Sequence, residues 1–112
     1  MFTFILTSYV IRRIVINMIK NFKCKDTEKL FNDFNVKKFR SILKIARIKF
    51  ELLNAAVSLN SLRIPPGNRL EQLKGDRIGQ HSISINDQWR ICFIWSDEDA
   101  YDVEIVDHHE GE

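Results

Sequence analysis

Side chains that can handle a phosphate ester lie in three segments of the C-terminal half of the chain. The loop over residues 69–77 spaces cations around a carboxylate, one arginine interrupts an apolar stretch, and an aspartate with two histidines lies near the end. These residues are Arg69, Glu71, Lys74, Arg77, Arg90, Asp107, His108 and His109. Each segment alone is also typical of a solvated surface, but the three together favour phosphate chemistry.

These residue types are sufficient to cut RNA without a metal ion. The reaction needs a base that helps the ribose 2′-OH attack the adjacent phosphate, a cation that holds the doubly charged phosphorane, and an acid that protonates the leaving 5′-oxygen. Histidine suits the acid or base role because its unperturbed pKa of about 6.5 lets both forms exist near neutrality. Arginine suits the cation role because its guanidinium donates two hydrogen bonds to one phosphate and keeps its charge. We therefore expect neither a metal nor another cofactor.

The composition fits one globular domain in a reducing compartment. A chain of 112 residues, 45% of them hydrophobic, is long enough to bury one core and too apolar to be disordered. The two cysteines, Cys24 and Cys92, lie far apart, which excludes a disulfide framework and a zinc site of clustered cysteines. We expect a cytoplasmic protein.

Charge is divided unevenly along the chain. Residues 1–50 carry 12 Lys and Arg against 3 Asp and Glu, whereas residues 51–112 carry 5 against 12. The net charge of +2 therefore conceals a basic half and an acidic half. This asymmetry indicates either a surface for nucleic acid or for an acidic partner, or an ordinary lysine-rich solvated helix.

The first 17 residues differ from the rest of the chain. Their apolar run, residues 2–11, is too short for a helix to cross a bilayer, which needs about 20 residues. Arg12 and Arg13 follow this run, whereas a secretion signal carries its positive charge in front. Met18 would serve well as a start. We expect residues 1–17 to be an upstream extension that translation need not include, residues 18–112 to form the domain, and no membrane partner.

Two helices are predicted in the N-terminal half, after a short strand over residues 19–23. Asp26 and Thr27 offer side-chain oxygens for the N-cap of a short helix that ends near Asp33. The second helix, from about Lys37 to Ala56, is indicated by apolar residues that recur three and four positions apart. These residues are Phe39, Ile42, Leu43, Ala46, Phe50, Leu53 and Val57.

Beyond the proline-rich hinge at residues 64–68 the hydrophobic period changes to two, which predicts strands. The pattern predicts strands over 82–85, 89–95 and 101–106, joined by a tight turn at 86–87 and an acidic loop at 96–100. The predicted fold class is α+β, with two N-terminal helices packed on one face of a C-terminal, mainly antiparallel β-sheet.

One face of this sheet is left open by the two helices. Alternation places Trp89, Ile91, Phe93 and Trp95 on the helix side and Arg90 on the open side. An arginine there either binds a ligand or pairs with Glu104 across the sheet. His81 falls on the same face of the predicted strand as Ile83 and Ile85, and we interpret it as a structural residue.

From Met18 to His109 the chain resembles the HigB/GraT plasmid-maintenance toxins of the RelE superfamily. The matching stretches, in order, are MIKNF (18–22), PPGNRLE (65–71), LKGDR (73–77), GQHSI (79–83), NDQWRICF (86–93) and VEIVDHH (103–109). The resemblance implies a RelE-like domain that enters the ribosomal A site and cuts translated mRNA. It also implies a helix-turn-helix antitoxin encoded beside the toxin, whose complex with the toxin represses their promoter, so that the toxin contacts DNA only through that complex.

The resemblance also points to site residues. In this family a lysine and an arginine that match Lys74 and Arg90 contact the reacting RNA, and a C-terminal Asp-Tyr-His pattern matches residues 107–109. Here His108 replaces the tyrosine, and Glu71 stands where some relatives have histidine.

These matches and the chemistry set out above suggest a division of roles. As a hypothesis, Arg90 and Lys74 stabilise the phosphorane, and Arg69 and Arg77 position flanking phosphates. His109 is the general acid or base, and Glu71 is the best candidate for the complementary proton transfer.

Two other functions remain compatible with the sequence. The first is a ParE-like toxin that binds gyrase and cuts nothing, against which the Asp-His-His segment argues. The second is a non-catalytic RNA- or protein-binding module that uses the basic helix. This second function predicts that neutralising Lys44, Arg47 and Lys49 abolishes activity while Arg90→Ala does not.

Overall fold

The structure is a computed structural model that describes residues 18–108, so the predictions for residues 1–17 and for His109 lie outside it. Two α-helices, Lys25–Phe31 (α1) and Leu43–Asn54 (α2), precede four strands. The strands are Glu71–Gln72 (β1), His81–Ser84 (β2), Trp89–Ser96 (β3) and Asp99–Asp107 (β4). Short 3-10 helices cover Lys37–Ile42, Leu59–Arg63, Pro66–Asn68 and Gly75–Arg77. The predicted α+β class is confirmed.

Helix α1 begins at a different cap from the predicted one. Cys24 is the N-cap, and its Sγ accepts a hydrogen bond from the Thr27 backbone N–H at 3.4 Å. The Thr27 side chain is fully buried, and its Oγ1 accepts from the backbone N–H of Ile105 at 3.0 Å. The predicted cap at Asp26 or Thr27 was therefore wrong: Cys24 caps the helix, and the threonine hydroxyl contacts both Cys24 Sγ, at 2.9 Å, and the Ile105 amide of β4.

The predicted long helix over residues 37–56 is divided and shorter. Its first turns form the 3-10 helix Lys37–Ile42 with a kink at Phe39 (φ −107°, ψ 16°), and α2 ends at Asn54. Val36 supplies no side-chain cap, and the Phe39 backbone N–H donates to the Val36 carbonyl at 3.0 Å, which is the spacing of a 3-10 helix. The apolar stripe is buried as predicted except that Leu43 is only partly buried and that Val57, which lies beyond α2, is 65% exposed.

All four strands form one antiparallel sheet in the order β1-β2-β3-β4. The predicted N-terminal strand forms only two parallel bridges to β4, Ile19 to Ala100 and Phe22 to Val103. The predicted acidic loop is a tight turn at Asp97 and Glu98 (φ 51° and 68°), so β4 begins at Asp99.

The core lies between the helices and one face of the sheet. Phe39 meets Trp89 edge-on at 5.4 Å, and Phe50 packs against Phe31 at 5.4 Å and Phe22 at 6.4 Å. Ile91 and Phe93 are fully buried in the same cluster, as the alternation predicted. Within the described part of the chain no helix has both the length and the hydrophobicity that a bilayer crossing requires.

Candidate active site on the open sheet face

Arg90 is the centre of a hydrogen-bonded group on the open face of the sheet. Its Nη1 donates to Glu71 Oε1 at 3.1 Å and to Ser82 Oγ at 3.4 Å, and its Nη2 lies 3.3 Å from His108 Nε2. The Arg90 side chain is only 12% exposed, so the guanidinium is held between a carboxylate and an imidazole. Such an arrangement presents a fixed, permanently charged fork to an incoming anion.

The strands bring these residues together from distant parts of the chain. Glu71 on β1 lies opposite Ser82 on β2, and Arg90 on β3 lies opposite Ser84, so the ion pair crosses β2 diagonally. His108 follows β4, and its backbone N–H donates to the carbonyl of Gln88 in the turn before β3. The site therefore depends on the register of all four strands.

The predicted alternative pair, Arg90 with Glu104, is not formed. Glu104 instead pairs with Arg77 at 3.3 Å, and the same Nη1 of Arg77 donates to Gln80 at 3.0 Å. Glu104 lies opposite Cys92 on β3, two positions beyond Arg90, so alternation puts it on the same face. Arg77 reaches it from the loop and neutralises it, which leaves Arg90 to Glu71.

Two adjacent hollows on this face contain most of the predicted site residues. Arg90 and Glu71 line both of them. The first hollow also receives Arg69, Ser82, Ser84, Asn86, Asp87, Trp89 and His108. The second receives Lys74, Asp76, Arg77, Cys92 and Val106. The cations predicted to bind RNA thus surround the Glu71–Arg90 pair from both sides.

Each hollow has its own source of positive charge. Lys74 is exposed and has no ion-pair partner among residues 18–108, whereas Arg77 is half-buried against Glu104. Arg69 is exposed, with a left-handed backbone (φ 47°, ψ 54°) that ends the 3-10 turn before β1. Neither exposed cation has an ion-pair partner among the described residues, so both can meet a phosphate without breaking such a pair.

The C-terminal Asp-His-His segment is described in part. Asp107 Oδ2 accepts a hydrogen bond from Gln88 Nε2 at 2.9 Å, which ties the end of β4 to the turn. Because arginine only donates, Nε2 of His108 is the acceptor in its contact with Arg90. The predicted acid or base, His109, lies outside the described residues. The imidazole that the structure places at Arg90 is that of His108.

Ser82 and Gln88 are contacts of the site that the sequence analysis did not single out. Ser82 is uncharged and only 2% exposed, and its Oγ accepts a hydrogen bond from Arg90. The alternation over residues 82–85 was the signal that could have found it, since Ser82 lies on the same face as Arg90. Nothing in the sequence around Gln88 marks its contact with Asp107.

Two other ionisable groups near the sheet do not have the properties of reacting groups. Burial raises the pKa of the Cys92 thiol to about 11, so it stays protonated and is a poor nucleophile at neutral pH. The His81 ring lies 6.3 Å from that of Phe93, and burial lowers its pKa. No group of three potential His, Cys, Asp or Glu metal ligands occurs among residues 18–108.

Sequence comparisons identify known proteins that are similar to this chain. A family model described as the RelE-like toxin of the type II toxin–antitoxin system HigB matches residues 20–109. Toxin HigB-1 of Vibrio cholerae serotype O1 is 45% identical over 60 residues, which are 54% of this chain and 63% of that protein. Endoribonuclease HigB of Proteus vulgaris is 33% identical over 94 residues, which are 82% of this chain and 100% of that protein. The match thus spans just under two thirds of the Vibrio toxin and all of the Proteus enzyme.

Proposed function

This chain belongs to the HigB family of RelE-like toxins from type II toxin–antitoxin systems, and on that premise we propose that it is an endoribonuclease that cuts mRNA on the ribosome and so inhibits translation. The observation that carries the proposal is the Arg90 guanidinium, held between the Glu71 carboxylate and the His108 imidazole on an open face. A Proteus vulgaris relative named as an endoribonuclease supports the same reaction class.

The proposed reaction is an attack of the ribose 2′-oxygen on the adjacent phosphorus. The 2′-OH loses its proton to a base, the P–O2′ bond forms, and the bond to the 5′-oxygen breaks as that oxygen gains a proton from an acid. The products are a 2′,3′-cyclic phosphate and a 5′-hydroxyl, and no metal is required for the balance. Arg90 and Lys74 stabilise the phosphorane, since both are cations that line the hollow beside Glu71.

Proton transfer is assigned to the carboxylate and to the C-terminal imidazoles. Glu71 is 59% exposed and can receive the 2′-OH proton once RNA phosphate takes its place at Arg90. His109, the general acid or base predicted from the sequence, is the acid in this scheme. Nε2 of His108 accepts from Arg90 and so orients the guanidinium, and this nitrogen donates only when the ring is protonated. Arg69 and Arg77 position the flanking phosphates.

Membership of the family implies an antitoxin as partner. We expect this antitoxin to be a helix-turn-helix protein encoded by the neighbouring gene, to inhibit the nuclease, and to provide the only contact with promoter DNA. The ribosome and mRNA are the expected targets, and the cytoplasm is where both occur.

The structure bears on the alternative of a binding module built on the basic helix. Arg47 forms an ion pair with Asp33 at 3.1 Å, and the Lys49 amine donates to Asn68 at 2.5 Å. Of the three cations in that alternative, only Lys44 has no such contact among residues 18–108. The basic helix is thus largely engaged in internal contacts, which favours the nuclease.

The decisive experiment is expression of the chain with and without its neighbouring gene. We expect growth arrest without the neighbour, mRNA fragments that end in 2′,3′-cyclic phosphate, and unchanged DNA supercoiling. Arg90→Ala should remove the fragments while the protein stays folded. Loss of supercoiling with intact mRNA would support the gyrase-directed toxin instead. Full cleavage by Arg90→Ala would refute this site.

A further inference from the structure

Asn68 anchors the loop that leads into β1. Its side chain is fully buried, and its Nδ2 donates to the carbonyls of Leu62 at 3.0 Å and Ile64 at 3.4 Å. Its Oδ1 accepts from Nζ of Lys49 at 2.5 Å. Both amide hydrogens and the oxygen are therefore used, and the loop is bonded at one point to α2 and to the 3-10 helix before it.

The residues just after Asn68 belong to the candidate site. Arg69 follows at once with a left-handed backbone, and Glu71 is two positions further along. Strand β1 has only two residues, and in the sheet it pairs only with β2. Pro65, Pro66 and Gly67 are all exposed. The direction in which the chain enters the site is thus fixed largely at Asn68.

Lys49 is an unusual member of the basic helix. It is half-buried, and this burial lowers the pKa of its amine. Its amine turns away from solvent to a neutral amide oxygen, which gains a charge-assisted hydrogen bond. Lys44 lies on the same helix, is exposed and makes no such bond among the described residues. The two lysines therefore form a matched pair for experiment.

We infer that Lys49 and Asn68 are positioning residues for the RNA-binding loop, which hold Arg69 and Glu71 at the rim of the hollow lined by Arg90. The inference rests on the proposed nuclease function. Without the amine, the buried Oδ1 of Asn68 has lost its donor and the amide must turn toward water. The loop then leaves the carbonyls of Leu62 and Ile64, and Arg69 loses its fixed approach to the substrate phosphate.

A double-mutant cycle tests this coupling on the full chain. Lys49→Met keeps the aliphatic stem and removes the amine, and we expect kcat/KM for mRNA cleavage on ribosomes to fall about tenfold through misplacement of Arg69. Arg69→Met should also cost about tenfold. The double variant should lose about tenfold and not a hundredfold, since each change alone already removes the same contact, that of Arg69 with the substrate phosphate. Lys49→Arg should restore most activity, and Lys44→Met should match the parent.

Several results would overturn the inference. Losses that multiply in the double variant, or equal losses in Lys44→Met and Lys49→Met, would show that Lys49 acts as a general charge or only through stability. If the parent cuts no RNA, the proposed function fails, and hydrogen exchange still decides the positioning claim. Backbone amides of residues 69–72 should then exchange faster in Lys49→Met than in Lys44→Met. Equal exchange rates would reject the claim.

Discussion

The carboxylate of Glu71 lies 3.1 Å from Nη1 of Arg90, although the two residues are 19 positions apart and lie on strands separated by β2. The guanidinium is nearly buried, whereas the carboxylate is largely exposed. An RNA phosphate can reach Arg90 only by displacing the carboxylate or sharing the guanidinium with it. In the proposed mechanism, Glu71 occupies the place of the substrate anion and is freed as a base when the substrate arrives.

Glu71→Gln should separate the role of Glu71 as a base from its competition with the substrate phosphate for Arg90. The amide cannot take the 2′-OH proton, so kcat should fall about 10²- to 10⁴-fold, the usual effect of losing a positioned proton-transfer group. KM should fall or stay constant, because no anion competes for Arg90. Single-turnover cleavage of ribosome-bound mRNA measures both. Glu71→His should retain more activity than Glu71→Gln.

Asp76→Asn is the matched control for Glu71, because it removes an exposed carboxylate from the same loop. It should leave kcat within about a factor of two of the parent, as expected for a surface charge. A Glu71→Gln enzyme with the parent's kcat would remove Glu71 from the mechanism. An equal loss in both variants would reduce its role to general charge.

Arg90→Lys should show that cleavage requires the planar guanidinium with its two Nη donors, and not only a positive charge. A single ammonium on a flexible stem cannot contact Glu71 and His108 in the fixed geometry that Nη1 and Nη2 provide. We expect cleavage to fall about 10²- to 10³-fold, as when a preorganised transition-state donor is lost. Circular dichroism and thermal unfolding should change little. The control is Arg63→Lys, which should cut like the parent: Arg63 is exposed and, among residues 18–108, its side chain bonds only Asn60 of its own 3-10 helix.

Much of this fold follows from local patterns in the sequence. The alternation of residues 89–93 was enough to place Ile91 in the core and Arg90 on the open face, because side chains alternate along a strand. The turn at Asn86 was also predicted, and its Oδ1 accepts from the amides of Gln88 and Trp89. Patterns of this kind act over a few residues, and the sequence displays them directly.

The remainder depends on contacts between distant residues. The cap of α1 was misassigned because the hydroxyl of Thr27 bonds an amide 78 positions away. Glu104 was the only ion-pair partner predicted for Arg90, whereas Arg90 pairs with Glu71 and Glu104 pairs with Arg77 from the distant loop. The cap and the ion-pair partner depend on strand register and on the path of the loop, and local composition predicts neither of these.

Thr27→Val should destabilise the fold, because it removes the acceptor of the Ile105 amide and the contact of Thr27 Oγ1 with Cys24 Sγ at 2.9 Å. Valine has nearly the same shape as threonine but cannot accept from the Ile105 amide, which lies in a buried contact. A buried donor left without a partner costs about 1–3 kcal/mol. Urea unfolding should show that loss with an unchanged m-value. Thr27→Ser keeps the acceptor and should lose less, and a Thr27→Val protein of full stability would contradict the assignment.

His81 should give the stability of the domain a dependence on pH. Burial lowers its pKa, and its Nδ1 is buried without a hydrogen-bond partner among residues 18–108. The unfolded chain therefore binds a proton at this histidine more readily than the folded chain. The unfolding free energy should fall as pH drops below about 6.5, the usual histidine pKa, until the lower pKa of the folded state is passed.

His81→Phe, which preserves the ring packing against Phe93, should reduce the difference between Tm at pH 7.5 and at pH 5.5. The two proteins differ only at position 81, so the comparison isolates this residue. An unchanged difference would show that the His81 ring takes up its proton equally well in the folded chain.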